Sequence, residues 1–226
     1  MDVKGGDPAP AGRGRQGERS KPVPGGPGRQ AERSQATRAA LIGAARELFA
    51  ARGYGGVGTE EIVRRARVTR GALYHHFRNK EDLFRAVFEQ LEDELTQQIA
   101  AVAASAEDPY RALAAGADAF LDACLDPAVQ RITLLDAPAV LGWQRWREIG
   151  ARYGLGLIQA ALQAAMDQGL IVAQPVAALA HVMLGALDEA AMLVAQSTDE
   201  GTTRDEVGVI VARLLTSLRV PDDPPG

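Results

Sequence analysis

The chain has 226 residues, 46% of them hydrophobic, enough for one large domain or two small ones around a sizeable core. It shows no apolar run of membrane-spanning length and no apolar stretch at its N-terminus. Its single cysteine, Cys124, excludes an intrachain disulfide and reads as a small buried hydrophobe, so a cytoplasmic protein with no membrane partner is expected. The net charge of −4 hides an asymmetry: residues 1–90 carry 17 Lys+Arg against 10 Asp+Glu, whereas residues 91–226 carry 8 against 19.

A basic front half suits a polyanion and an acidic back half does not, although charge runs are as often plain solvated faces. Residues 1–33 hold 8 Gly and 5 Pro, no aromatic residue and no apolar period. Such a segment buries too little surface to offset its ordering entropy, so a disordered basic tail is expected, free to brush DNA or to be inert. From Ser34 the pattern changes. Leu41, Ala45, Leu48 and Phe49 recur at helical spacing, and the helix ends near Gly53. Thr59 is suited to cap a second helix, with Glu60 and Glu61 in its first turn. Thr69 caps a third, very short helix. Asn79 caps a fourth, whose apolar face runs through Phe84, Val87, Phe88, Leu91 and Leu95. Further helices are read over 109–124, 127–135, 140–168, 175–196 and 203–219, with Pro109, Pro127, Pro138 and Pro175 near segment starts and a capping box at Thr203–Glu206. No strand alternation and no internal repeat is present, so the fold class is all-α. A helical DNA-binding unit is expected over 34–80, a larger helical domain over 81–220 and a flexible tail over 221–226.

The second and third helices, joined by a tight turn, have the layout of a helix-turn-helix DNA reader. Leu48, Phe49, Ile62, Ala66, Val68, Leu73 and Phe77 are spaced to fix the angle between the helices. That leaves Thr69, Arg70, Gly71, Ala72, Tyr74, His75 and His76 for the major groove. Gly71 and Ala72 permit close approach, and Arg70 matches guanine in a bidentate manner. The Tyr74 hydroxyl, a His75 or His76 ring N–H, the Thr59 hydroxyl and Lys80 suit phosphates. Adjacent histidines on a helix point about 100° apart and do not share a metal ion easily. Pattern alone leaves open a two-helix turn that binds no DNA.

Two segments narrow this. Thr37–Tyr54, with its Gly-Tyr exit, and Val68–Phe84, which contains Thr-Arg-Gly-Ala-Leu-Tyr-His-His-Phe, closely resemble the first helix and the reader helix of the tetracycline-repressor family of bacterial transcription regulators. The resemblance spans about residues 36–88. It implies that Thr69, Arg70, Gly71, Ala72, Tyr74, His75 and Lys80 lie at DNA-contacting positions. It further implies a C-terminal domain that dimerises through its last two helices and holds an inducer cavity. Arg67 departs from the pattern, since many members carry Gly in that turn.

In the C-terminal part, Leu179, Met183, Ala186, Leu187 and Ala190 on one helix and Val207, Val211, Leu214 and Leu218 on the next are the candidate homodimer interface, or else simply close the monomer core. Trp143, Trp146 and Tyr153 step along one helix beside glycines. With Met166, His181, Met183 and Asp188 they are candidates for lining a ligand site suited to a hydrophobic or aromatic small molecule, although such a stripe is more often plain core. No metal or cofactor motif and no hydrolase signature occurs. The expected protein is a dimeric, ligand-responsive repressor on a palindromic operator, in which a ligand shifts the fourth helix and changes the spacing of the two readers. An all-helical ligand-binding or enzymatic bundle without DNA reading, and a constitutive DNA-binding regulator without inducer, are the alternatives.

Overall fold

The computed structural model describes residues 27–221, so most of the expected tails over 1–33 and 221–226 lies outside the described residues. The fold is all-α. Helices α1 (Pro27–Arg52), α2 (Thr59–Ala66) and α3 (Arg70–His76) form the N-terminal unit, and α4 (Lys80–Ala104) leads out of it. There follow α5 (Pro109–Ala123), a π-helical segment (Val129–Asp136), α6 (Ala137–Leu141), α7 (Trp143–Asp167), α8 (Val176–Ala195) and α9 (Glu200–Thr216).

The N-terminal unit closes around Phe49, Ile62, Leu73 and Phe77, all buried as their spacing suggested. This core does not stop at the unit's edge. Phe84 of α4 meets the ring of Phe49 at 5.3 Å and that of Tyr54 at 5.1 Å, both edge-on. Leu83, Val87, Phe88 and Leu91 carry the cluster on to Ile132, Leu134 and Trp146 in the C-terminal part. A second cluster, around Leu113, Leu162, Ile171, Leu187 and Leu215, joins α5, α7, α8 and α9. The loop between α7 and α8 is tied to the residues after α9 by an antiparallel bridge of Ile171 with Arg219, in which Val172 N–H donates to Leu218 C=O at 2.9 Å.

Several boundaries differ from the sequence reading. Helix α1 starts at Pro27, not at Ser34, so the last turns of the supposed tail are helical. Gln30, Ala31, Glu32 and Arg33 are competent helix formers, but they project from the core and show no apolar period. The N-cap of α2 is Gly58, and Thr59 is the helix's first residue. The segment read over 127–135 is π-helical. The helix read over 140–168 is broken at Gly142, whose φ of 83° is open to glycine and strained for other residues. Helix α9 is capped by Asp199, which accepts from Thr202 N–H, so Thr203 lies inside the helix and its hydroxyl meets Ser197 instead. The caps Thr69 and Asn79 stand as read, accepting from Ala72 and Asp82 N–H at 3.2 and 2.8 Å. Helix α8, with 20 residues and mean hydropathy 1.5, is long and apolar enough to cross a membrane, contrary to the expectation of no such stretch. It packs Ala180, Leu184, Leu187, Ala191 and Val194 inward and carries Asp188 and Glu189.

Candidate nucleic-acid interface and effector cavity

The reader helix is short and held from both ends. Val68 N–H donates to Val63 C=O and Arg67 N–H to Arg64 C=O, which closes α2 with Arg67 in the left-handed region at φ 56° and ψ 40°. The departure noted at Arg67 therefore leaves the turn intact and puts an arginine where glycine is unstrained. Leu73 and Phe77 anchor the inner face of α3. On the outer face Thr69, Arg70, Gly71, Tyr74 and His75 are exposed, while Ala72 and His76 are half-buried. The Arg70 guanidinium pairs with Glu60 at 2.8 Å and lies 5.6 Å from the Tyr74 ring centroid, so it is oriented yet open to solvent. A Cβ on Gly71 would meet only Thr69 Oγ1, at 3.8 Å. Nothing among the described residues requires glycine there; the missing side chain leaves room for something approaching from outside. The His76 pKa is lowered by burial and by the neighbouring His75 and Arg38 charges, which favours its neutral form.

Lys80 and Thr59 sit less freely. The Lys80 ammonium donates to Tyr54 C=O at 2.9 Å and to Val57 C=O at 3.0 Å, and stands 3.8 Å from the Tyr54 ring centroid. Burial lowers its pKa. Two of its three N–H groups are thus engaged in closing the loop between α1 and α2. Thr59 is half-buried at the start of α2. The sequence reading missed a polar cleft beside the reader: Gln30, Arg33, Ser34 and Thr37 of α1 face Thr69, Gly71, Ala72, His75 and His76. The cations Arg29 and Arg33 were its one visible signal.

A more enclosed cavity of about 330 Å³ lies inside the C-terminal part. Helices α4, α5, α7 and α8 and the π-helical segment wall it, mostly with Leu, Ile, Ala, Phe120 and Trp146. Of the residues proposed from sequence, Trp146, Met183 and Asp188 line it. Trp143 does not; at the first position of α7 it is 55% exposed, against 4% for Trp146. Tyr153 packs against the first core cluster and Met166 against the second, and His181 is exposed. The polar lining was not foreseen: Glu92 and Thr96 from α4, Thr133 from the π-helical segment and Arg147 from α7. A stripe through Phe88, Leu91, Glu92, Leu95, Thr96 and Ile99 was the signal, because Glu92 and Thr96 interrupt an otherwise apolar face. Arg147 Nη1 donates to Asp188 Oδ2 at 3.0 Å. Burial pushes the Asp188 carboxyl up to about 6 against the lowering effect of Arg147. Burial, with the Asp188 charge adding to it, pushes Glu92 up to about 8. The Cys124 thiol, raised to about 12 chiefly by burial, is neutral.

Two contacts tie this cavity to the reader. Trp146 Nε1–H donates to Thr133 C=O at 2.9 Å, and three residues later Asp136 Oδ2 accepts from Tyr54 N–H at 2.6 Å. Tyr54 is the residue whose carbonyl and ring hold Lys80. The cavity wall is therefore bonded to the loop that sets α2 and α3.

Comparison with known proteins agrees with this architecture. Residues 41–87 match the model for bacterial regulatory proteins of the tetR family, and residues 110–218 that for the tetracyclin repressor-like C-terminal domain. A TetR-family transcriptional regulator from Pectobacterium atrosepticum is 33% identical, with 84% of this chain and 97% of that one covered and a TM-score of 0.76. The chain belongs to the tetR family. The TetC protein of transposon Tn10 from Escherichia coli is 28% identical over 153 residues, 67% of this chain and 76% of TetC. RolR, solved in complex with resorcinol, is 21% identical with a TM-score of 0.64 over 85% of this chain and 98% of its own, a likeness of fold. As a tetR-family member the protein is a DNA-binding transcriptional regulator and not an enzyme.

The faces of α8 and α9 that pack inward are not those that remain open. Leu187 and Ala190 are buried, and Leu179, Met183, Val211 and Leu218 pack against the second core cluster. Ala186 and Val207 are half-buried. Of the interface candidates only Leu214 is well exposed, at 53%, and it is joined by Val182, Leu193, Val209 and Ile210. The period identified apolar helices correctly but selected the side turned to the monomer's own core for most of the candidates.

Proposed function

We propose that this tetR-family regulator is a homodimeric repressor that leaves a palindromic operator when a small molecule fills the cavity of the C-terminal part. The observation that carries this reading is a physical connection. The exposed reader residues Thr69, Arg70, Tyr74 and His75 stand on a helix whose supports, α4 and the loop at Tyr54, both reach the cavity wall. Gly71 and Ala72 give the backbone close access to the groove, Arg70 reads a base edge, and Tyr74, His75, Thr59 and the remaining N–H of Lys80 serve phosphates. His76 borders the same groove from the α1 side.

Two copies related by a two-fold axis through α8 and α9 would set two readers about 34–36 Å apart, one DNA turn. The open apolar side chains Val182, Leu193, Ile210 and Leu214 supply a face for this pairing, which in a lone monomer would rest against water. A ligand acts by preferring one arrangement of α4 and the π-helical segment over another, and operator affinity falls by that preference. Such a protein works in the cytoplasm, where the DNA is.

The test has three parts: selection of bound sites from random duplex DNA, sedimentation, and a reporter gene with the selected site in its promoter. A two-fold symmetric site, a dimer, and reporter output that rises when the regulator's gene is deleted are expected. Selection of no sequence, or output that falls on deletion, would refute the DNA-reading or the repressor part respectively.

A further inference from the structure

The cavity contains more carboxylates than cations. Glu92 projects from α4 into a space whose other walls are mostly apolar, and among the described residues it has no hydrogen-bond or ion-pair partner. The cation that lines the cavity, Arg147, is already engaged with Asp188 at 3.0 Å. The remaining titratable groups that face Glu92 from neighbouring elements are the neutral thiol of Cys124 at the end of α5 and Tyr153 on α7, whose pKa is raised by burial and nearby carboxylates. Phe120 and Trp146 add aromatic surface, and the indole is held in place by its hydrogen bond to Thr133 C=O.

From this charge balance, resting on the reading of the cavity as the effector site, we propose that the effector is a lipophilic amine that binds as its cation with Glu92 as counterion. An anionic ligand would meet Asp188 and Glu92 and would have to take Arg147 from its partner. A neutral ligand would leave Glu92 in its protonated form and gain no ionic contact from it. An ammonium group supplies the missing charge, donates to the carboxylate, and is attracted to the face of an aromatic ring. The hydrocarbon part of the ligand fills the rest of a mostly apolar space.

The reading has a proton consequence. Glu92 titrates at about 8, so it is protonated in most molecules at neutral pH. A cation that binds beside it draws it into the ionised form, and the proton leaves to solvent. Binding at pH 7 should then release close to one proton per site, and affinity should rise as pH is raised toward 8 while the amine stays protonated.

Three probes of matched size separate the cases: naphthylmethylamine, naphthalenemethanol and naphthoic acid, titrated calorimetrically into the full chain in buffers of different ionisation enthalpy. The amine should bind tightest, with proton release. Glu92→Gln should weaken the amine by about tenfold or more and abolish proton release while leaving the alcohol unchanged. Preference for the acid or the alcohol, or absence of amine binding, overturns the proposal. So does amine binding by the wild type without proton release, which does not depend on any variant folding. The operator arm is separate: acid-driven release of DNA would remove the amine and keep the inducer reading, whereas amine binding without DNA release would do the reverse.

Discussion

Asp136 joins the end of α1 to the π-helical segment through one hydrogen bond, and its removal is the sharpest test of how the two parts of the chain are coupled. Asp136→Ala leaves Tyr54 N–H without its acceptor at 2.6 Å. A hydrogen bond to a charged group contributes about 1.5–3 kcal/mol. This one is only part-buried, so water recovers some of that, and a loss of about 1–2 kcal/mol is expected. For a chain of this size each kcal/mol lowers Tm by roughly 2–4 °C, which gives a fall of roughly 2–8 °C. Asp136→Asn keeps an acceptor oxygen and should lose less. The coupling itself is read by a double-mutant cycle with Trp146→Phe, which deletes the bond to Thr133 C=O three residues away. Urea unfolding of both single variants and the double variant, followed by far-ultraviolet circular dichroism, gives the interaction energy. If the π-helical segment behaves as one body, that energy should exceed about 0.5 kcal/mol. Wild-type stability in Asp136→Ala, or two effects that add within about 0.3 kcal/mol, would refute the idea that the cavity wall and the Tyr54 loop move together.

Arg67→Gly should stabilise the protein by about 0.5–1 kcal/mol in thermal or urea unfolding, because left-handed backbone costs a non-glycine residue more than glycine's extra unfolded-state freedom. Lys80→Ala should destabilise by about 1–3 kcal/mol through two lost carbonyl contacts and reduce the salt slope of operator binding by about 0.9; an unchanged slope from a folded variant would take the ammonium off the phosphate. Leu214→Glu should yield monomers in sedimentation and weak operator binding from a folded chain, since a carboxylate in a dry interface costs several kcal/mol. Glu92→Gln should be more stable than the parent. The folded carboxyl titrates at about 8, above its unfolded value, so the parent loses stability as pH rises from about 4.5 to 8, and the variant's advantage should grow across that window.

Where a helix has a core to face, its period was readable: Leu41, Phe49, Ile62, Leu73 and Phe84 all lie where spacing put them. The first turns of α1 have no such face, so nothing periodic marked them. The π-helical segment has no residue pattern of its own, because its extra residue per turn is imposed by what it packs against. At α9 two capping signals stand four residues apart, at Asp199 and Thr203, and only the first is used. The reader was legible because a short helix that must both anchor and contact leaves few assignments open. The cavity was less so. Trp143 and Trp146 look alike in sequence and their rings lie 4.8 Å apart, yet only Trp146 is buried and reaches the cavity, and Glu92 looks like any charged residue on an amphipathic helix until the opposing walls are seen.

The eight-residue π-helical segment Val129–Asp136 also bears on how tolerant the protein is of insertions and deletions. A wider turn of this kind amounts to an α-helix with one residue too many. Deleting a single residue there, at Gln130 for instance, would let the segment relax into ordinary α-helix without leaving a gap in the chain. Everything between the deletion and its end would turn by about 100° relative to its neighbours, and Asp136 would no longer meet Tyr54. In most surface loops a one-residue deletion is silent. Here it would produce a chain that still folds, yet whose cavity wall is no longer bonded to the Tyr54 loop.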